Sequence, residues 1–190
     1  MFYEGKLLVA PPTMRDWRFR NSVVYLWKHD SAGANGIILN KALSSPKFRE
    51  VCEEGGIRLA EGIDAPVYYG GPVGLQIVGC LHTLDWASPN TNQFDTELGF
   101  TMDRQVIANI AQGRGPAQYL ITMGMATWSA GQLEAEITAE PPRTKNESWL
   151  VMDFDPNIIW HGKIDHMYSS CVSIAVAEQS RNYVSKFLRD

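Results

Sequence analysis

The chain has 190 residues, 45% of them hydrophobic and 20% charged, which suits a soluble globular protein of one domain with length enough for a core. A net charge of −4 weighs against a nucleic-acid-binding surface, and no apolar run approaches the roughly 18 residues of a membrane span. Cys52, Cys80 and Cys171 contain no C-x-x-C pair, which excludes a zinc knuckle or a thioredoxin-type motif.

In chain order, residues 2–10 read as a first strand stopped by Pro11 and Pro12. Residues 21–28 are β-branched and aromatic and predict a second strand, and residues 36–39 a third. The turn over 29–33 joins them into a β-hairpin with a loop of several residues. A short helix is expected over 46–54, ended by Gly55 and Gly56. Residues 66–69 lead into the turn Gly70-Gly71-Pro72, residues 75–83 predict another strand, and residues 85–96 a surface loop. Asp103 opens a helix through Ile107 and Ile110, closed by Gly113 and Gly115, and residues 119–123 follow as an apolar strand.

Residues 124–140 read as a glycine turn and a capped helix. Ser129 as N-cap puts Gln132 at the third helical position, a capping box, with Trp128 and Leu133 as its hydrophobic staple. Pro141 and Pro142 stop that helix, residues 149–152 predict a late strand, and Asp155-Pro156 starts a helical C-terminal region. Strands and helices alternate without a β-α-β rhythm. The expectation is α+β: a single domain with a mixed, mainly antiparallel β-sheet or partly closed barrel and flanking helices.

Several motifs follow one another along these segments: Leu8-Val9-Ala10-x-Pro12, Asp16-x-x-Phe19-x-x-Ser22-Val23-Val24-Tyr25 and His29-x-x-x-Gly33-Ala34-x-Gly36-Ile37-Ile38-Leu39-Asn40-Lys41. They continue through Gly70-Gly71-Pro72-Val73, Gly79-x-Leu81-His82, Gly115-Pro116 and Gly124-x-Ala126-x-Trp128-x-x-Gly131-Gln132-Leu133-Glu134-x-Glu136. As an ordered set they resemble the AlgH/YqgE family of bacterial proteins. The resemblance runs from about residue 6 to about residue 160 and implies an α+β fold with a mixed sheet. It also brings a regulator label, from one member's link to alginate control, which does not imply contact with DNA. The chain departs from the pattern in an insertion over residues 141–146 and in a helical tail over residues 165–190.

Residues 1–49 carry +5 and the remainder −9, with Arg15, Arg18, Arg20 and Lys28 in the basic part. Such charges usually pair or dissolve in solvent, so direct nucleic-acid binding is not expected. Cys80 and His82 lie two apart in a strand and share a face, which admits a thiolate pair or two metal ligands. Further ligands at metal spacing are missing, and a buried thiol beside a hydrogen-bonded histidine is the plainer reading. Ser129 sits between strand and helix as in a hydrolase elbow, but Thr127 stands where that motif needs glycine. His29 is expected to bond its loop backbone, His161 and His166 to be solvated, and Glu134 and Glu136 to occupy different helix faces.

Asn40, Lys41, Gly70, Gly71, Trp128 and Ser129 remain as candidate ligand-binding residues. Glycine lets backbone donors approach a guest, and Lys41 adds a positive charge, so a small anionic ligand or a protein partner is expected where these turns converge. The expected function is a non-enzymatic binding or regulatory module acting through that glycine-lined surface. The alternative is a small hydrolase or thiol enzyme using Cys80/His82 or Ser129. Cofactors, metals and a membrane are not expected. The short apolar stretch before Pro11 is not a secretory signal, and the scattered cysteines suit a reducing, cytoplasmic setting. Self-association is left open.

Overall fold

A computed structural model describes residues 2–93, 97–139 and 147–187; the expected insertion over 141–146 lies outside the described residues. The elements are β1 (Lys6–Val9), β2 (Val23–Asp30), β3 (Gly33–Ile38), α1 (Phe48–Glu54), β4 (Val67–Tyr69), β5 (Val73–Thr83), β6 (Asn92–Gln93) and β7 (Leu98–Thr101). They continue with α2 (Arg104–Ala111), β8 (Tyr119–Ser129), α3 (Gln132–Thr138), β9 (Leu150–Asp153), α4 (Pro156–Trp160) and α5 (Ile164–Phe187). The chain divides into two compact units, Met1–Ala34 with Trp128–Asp190, and Asn35–Thr127. The class is α+β with mainly antiparallel pairing, as expected; the β4–β8 pair is parallel.

In the first unit β1 lies between β2 and β9, antiparallel to both, with Leu7 opposite Tyr25 on one side and Met152 on the other. Three of the four β1 residues are buried, as a strand covered on both faces requires, and α5 packs on β9, β1 and β2. Met167, Cys171 and Ala175 form the buried stripe of α5 at successive four-residue steps. Asp155 caps α4 by accepting from the Asn157 N–H at 2.9 Å, with Pro156 in the first turn. The β2–β3 connection is Ser31 and Ala32 alone, because both strands run further into the expected loop.

In the second unit β5 pairs with β7 and β8, and β6 with β7. Helices α1 and α2 cover this unit's core, where Phe48, Val51, Val106, Ile107 and Ile110 close over Cys80 and Ile121. Asp103 caps α2 through the Gln105 N–H at 3.0 Å, and the Glu50 carboxylate closes the start of α1 on the Lys47 N–H at 2.6 Å.

One expectation fails here. The strand expected to stop at residue 123 continues to Ser129, and the N-cap of α3 is Gly131. Gly124 bends β8 without ending it, because its φ of 75° is open to glycine and the space a side chain would fill holds the Gly71 carbonyl. Half of the expected capping box survives, displaced: Gln132 Oε1 accepts from the Ser129 N–H at 3.0 Å, while Ser129 itself stays exposed in the strand.

Candidate binding site

Among the six residues expected at a site, four gather in the second unit. Lys41 is joined to β4 by the Tyr69 N–H on its carbonyl at 2.7 Å, with Asn40 beside it. Gly70 donates to the Met123 carbonyl at 2.7 Å and accepts from the Ile38 N–H at 2.8 Å. A Cβ at Gly70 would overlap the Gly124 carbonyl, and one at Gly71 would overlap the Met125 and Ala126 main chain. Backbone packs on backbone there, and both glycines are buried. Trp128 and Ser129 belong to the first unit, where a Cβ at Gly33 would overlap the Trp128 carbonyl.

Trp128, Gln132, Glu136 and Trp149 form a side-chain network within the first unit. Glu136 Oε2 accepts from both indole N–H groups, Trp149 at 2.8 Å and Trp128 at 3.1 Å, and Oε1 accepts from Gln132 Nε2 at 3.1 Å. Phe19 packs on both indoles. Glu134 points elsewhere, its Oε1 accepting from His29 Nε2 at 3.1 Å, as the two-residue spacing on a helix requires. His29 does not bond its own loop: its Nδ1 accepts the Tyr3 N–H at 2.9 Å, and its ring stacks on Tyr3 and meets Phe2 edge-on. Those partners lie 26 and 105 positions away in sequence, so nothing local marks them.

Cys80 and His82 each direct a hydrogen bond to a main-chain carbonyl. Cys80 is fully buried, burial drives its pKa far above the ordinary thiol range, and its Sγ faces the Leu81 carbonyl at 3.7 Å. His82 is also fully buried; its Nδ1–H donates to the Thr83 carbonyl at 2.9 Å and its ring meets Trp86 edge-on. Burial lowers the His82 pKa, and its Nε2 has no partner among the described residues. Cys171 is buried too, its thiol pushed up to about 11 chiefly by that burial. Among the described residues no group of three or more His, Cys, Asp or Glu side chains could hold a metal ion. His161 and His166 are exposed.

The basic N-terminal residues do not form a bare patch. Arg15 pairs with Glu147 at 2.9 Å, Arg18 with Asp16 at 2.7 Å and Lys28 with Asp30 at 3.3 Å, while Arg20 is exposed.

An opening that no sequence signal marked lies on the first unit, a groove of about 480 Å³. Three consecutive residues of β9, Val151, Met152 and Asp153, line it, with Phe2 and Tyr3 at one wall and Glu178 and Arg181 of α5 at another. Lys6 of β1, the register partner of Asp153, lines it too, which places the groove at the end where β1 begins and β9 finishes. Among the described residues β1 is the only strand neighbour of β9, which leaves alternate main-chain N–H and C=O groups turned away from the ladder. Lys6 and Asp153, register partners across β1 and β9, form an ion pair at its rim. Phe2 is 55% exposed there.

A family model described as AlgH-like matches residues 7–178. The chain belongs to the AlgH-like family. Within that family it is 33% identical over 181 residues to a UPF0301 protein of Marinomonas sp. strain MWYL1, covering 94% of this chain and 92% of that one. A UPF0301 protein of Bradyrhizobium diazoefficiens is 36% identical over 176 residues, 88% of this chain and 79% of that one. The solution structure of the AlgH protein from Pseudomonas aeruginosa superposes with a TM-score of 0.75 at 30% identity, covering 91% and 88% of the two chains. The crystal structure of protein DIP2367 from Corynebacterium diphtheriae, at 22% identity and a TM-score of 0.62 over 82% and 78%, shares the fold. The AlgH-like match extends into α5, past residue 160, so the first part of the helical tail lies inside the family's span.

Proposed function

We propose that this AlgH-like protein is a non-enzymatic binding module with a regulatory role in the cytoplasm, and that it takes an extended peptide segment of a protein partner along the edge of β9. The observation that carries this reading is the groove bounded by three consecutive residues of an edge strand. An extended peptide laid there would add a strand, its main chain meeting the outward N–H and C=O groups of β9. The exposed Phe2 offers an aromatic contact, and Glu178 with Arg181 offers one charge of each sign, which suits a segment carrying an apolar residue between an acidic and a basic one. Cys80, sealed from solvent and holding its proton, supports binding over thiol chemistry. Free, buried Cys52, Cys80 and Cys171 fit a reducing compartment. The ion pairs made by Arg15, Arg18 and Lys28 support a protein partner over a nucleic acid.

Peptides selected from a random library, titrated into the isotope-labelled protein, test this. Amide shifts are expected at Val151–Asp153 and in α5 near Glu178 and Arg181, and Arg181→Glu should weaken the selected peptides by about tenfold, or about 1.4 kcal/mol. Selected peptides that bind while leaving the β9 amides unmoved would overturn it, as would a mobility shift with DNA or RNA persisting at about 150 mM salt.

A further inference from the structure

The wall of the groove formed by Phe2 and Tyr3 is tied to a buried imidazole, and the Tyr3 carbonyl also accepts from the Lys6 N–H at 3.1 Å. The His29 side chain is inaccessible to solvent, and both of its nitrogens are engaged: Nδ1 accepts from the Tyr3 N–H at 2.9 Å, and Nε2 lies 3.1 Å from Glu134 Oε1. An amide N–H can only donate, so Nδ1 carries no proton, and the single ring proton sits on Nε2, aimed at the Glu134 carboxylate. The ring also holds the segment by its faces, stacking on Tyr3 with centroids 5.7 Å apart and meeting Phe2 at 5.2 Å. Both of those residues line the groove.

We infer that His29 is a proton-operated latch: a second proton on its ring releases Phe2 and Tyr3 and unmakes one wall of the groove. The proposal rests on the reading of the groove as the binding site. A second proton has one place to go, Nδ1, where it meets the Tyr3 N–H head-on, donor against donor. The charged groups near His29 are mostly acidic. Glu134 of α3 sits on Nε2, with its Oε2 buried and lacking a partner among the described residues; Glu4 accepts the His29 main-chain N–H at 3.3 Å; and Asp30, paired with Lys28, adjoins it on β2. A second ring proton therefore exchanges a held N-terminal segment for a charged His29–Glu134 pair. Peptide held along β9 loses the contacts of Phe2 and Tyr3 as pH falls.

Nuclear magnetic resonance on the free protein, taken from about pH 8 to about pH 5, reads the latch without any ligand. The His29 ring nitrogens should pass from the Nε2–H form to the doubly protonated form, and Tyr3 amide protection should fall at least about tenfold with the same midpoint. His29→Asn sets a carbonyl oxygen near the place of Nδ1 and cannot titrate, so the Tyr3 amide should stay protected throughout. Glu134→Gln removes the facing charge but keeps an acceptor, and should move both midpoints together to lower pH, which serves if His29→Asn does not fold. A groove-binding peptide should weaken by about tenfold over the same range in the wild type and stay constant in His29→Asn. A ring that titrates while the Tyr3 amide stays protected overturns the latch, as does a ring that stays neutral to about pH 5. A latch that opens while peptide affinity holds steady overturns its link to the groove. If no peptide binds at all, the binding reading fails while the Tyr3 amide still reports on His29.

Discussion

Where Gly70 and Gly71 meet Gly124 and Met125, main chain lies against main chain and no side chain fits between them. Around Glu136 the reverse holds: indoles from Trp128 and Trp149 and an amide from Gln132 converge on one carboxylate, with Phe19 across both indoles. Glycine clusters and polar clusters both look like sites in a sequence. Here the first is a place where backbones touch, and the second is a buried acceptor satisfied by its neighbours.

The largest effect should come from filling the glycine junction. Gly71→Val forces atoms into the Met125 and Ala126 main chain at a φ of 150°, and should cost about 4 kcal/mol or abolish folding, measured by chemical denaturation. A Gly71→Val protein with native stability would mean that β4 and β8 do not approach as described. Glu136→Leu strands two buried indole N–H groups and should cost about 3 kcal/mol on the same measurement, with the tryptophan fluorescence changed. Gly131→Ala shares the positive φ but has nothing within 4 Å, so only backbone strain remains, about 1 kcal/mol. Equal losses at positions 71 and 131 would remove packing as the reason for glycine.

A pH measurement reads the buried His82. Burial lowers the His82 pKa, so the unfolded chain binds the proton more readily, and stability is lost as pH falls through the ordinary histidine value of 6.5. Unfolding curves of His82→Phe should show a shallower loss below that pH than the wild type; an unchanged slope would mean His82 is charged in the fold. The smallest effect is expected at Ser129. As an N-cap it would be worth about 1 kcal/mol. As an exposed strand residue its change to alanine should fall within about 0.5 kcal/mol.

The same contrast explains how much the sequence discloses. Helix starts at Asp103 and Asp155 are legible because a cap and its helix are neighbours in the chain. The family motifs are legible because each is a short contiguous stretch of chain. The meaning of Gly124 is harder, because a glycine inside a strand and a glycine ending one look alike until the Gly71 carbonyl is in place. The expected cap at Ser129 fails for that reason: once β8 runs through Gly124, the helix must start later. The groove is illegible altogether, since its residues come from positions 2–6, 151–153 and 178–181 and none belongs to a motif. His29 and Glu134 fall in the middle: each stands in a recognisable stretch, but nothing pairs them before the chain folds.

The three sealed thiols give the protein a clock. Cys52 and Cys80 lie in one compact unit and Cys171 in the other, all buried and unbonded to each other. A thiol reagent added to the native protein can react only with molecules that have opened, so the rate at which each cysteine is tagged counts openings of its own surroundings. Mass spectrometry of the tagged peptides would then time the units separately. Equal rates at Cys80 and Cys171 would show that they open as one, and a faster Cys171 would show that α5 loosens before the core beneath α1 and α2.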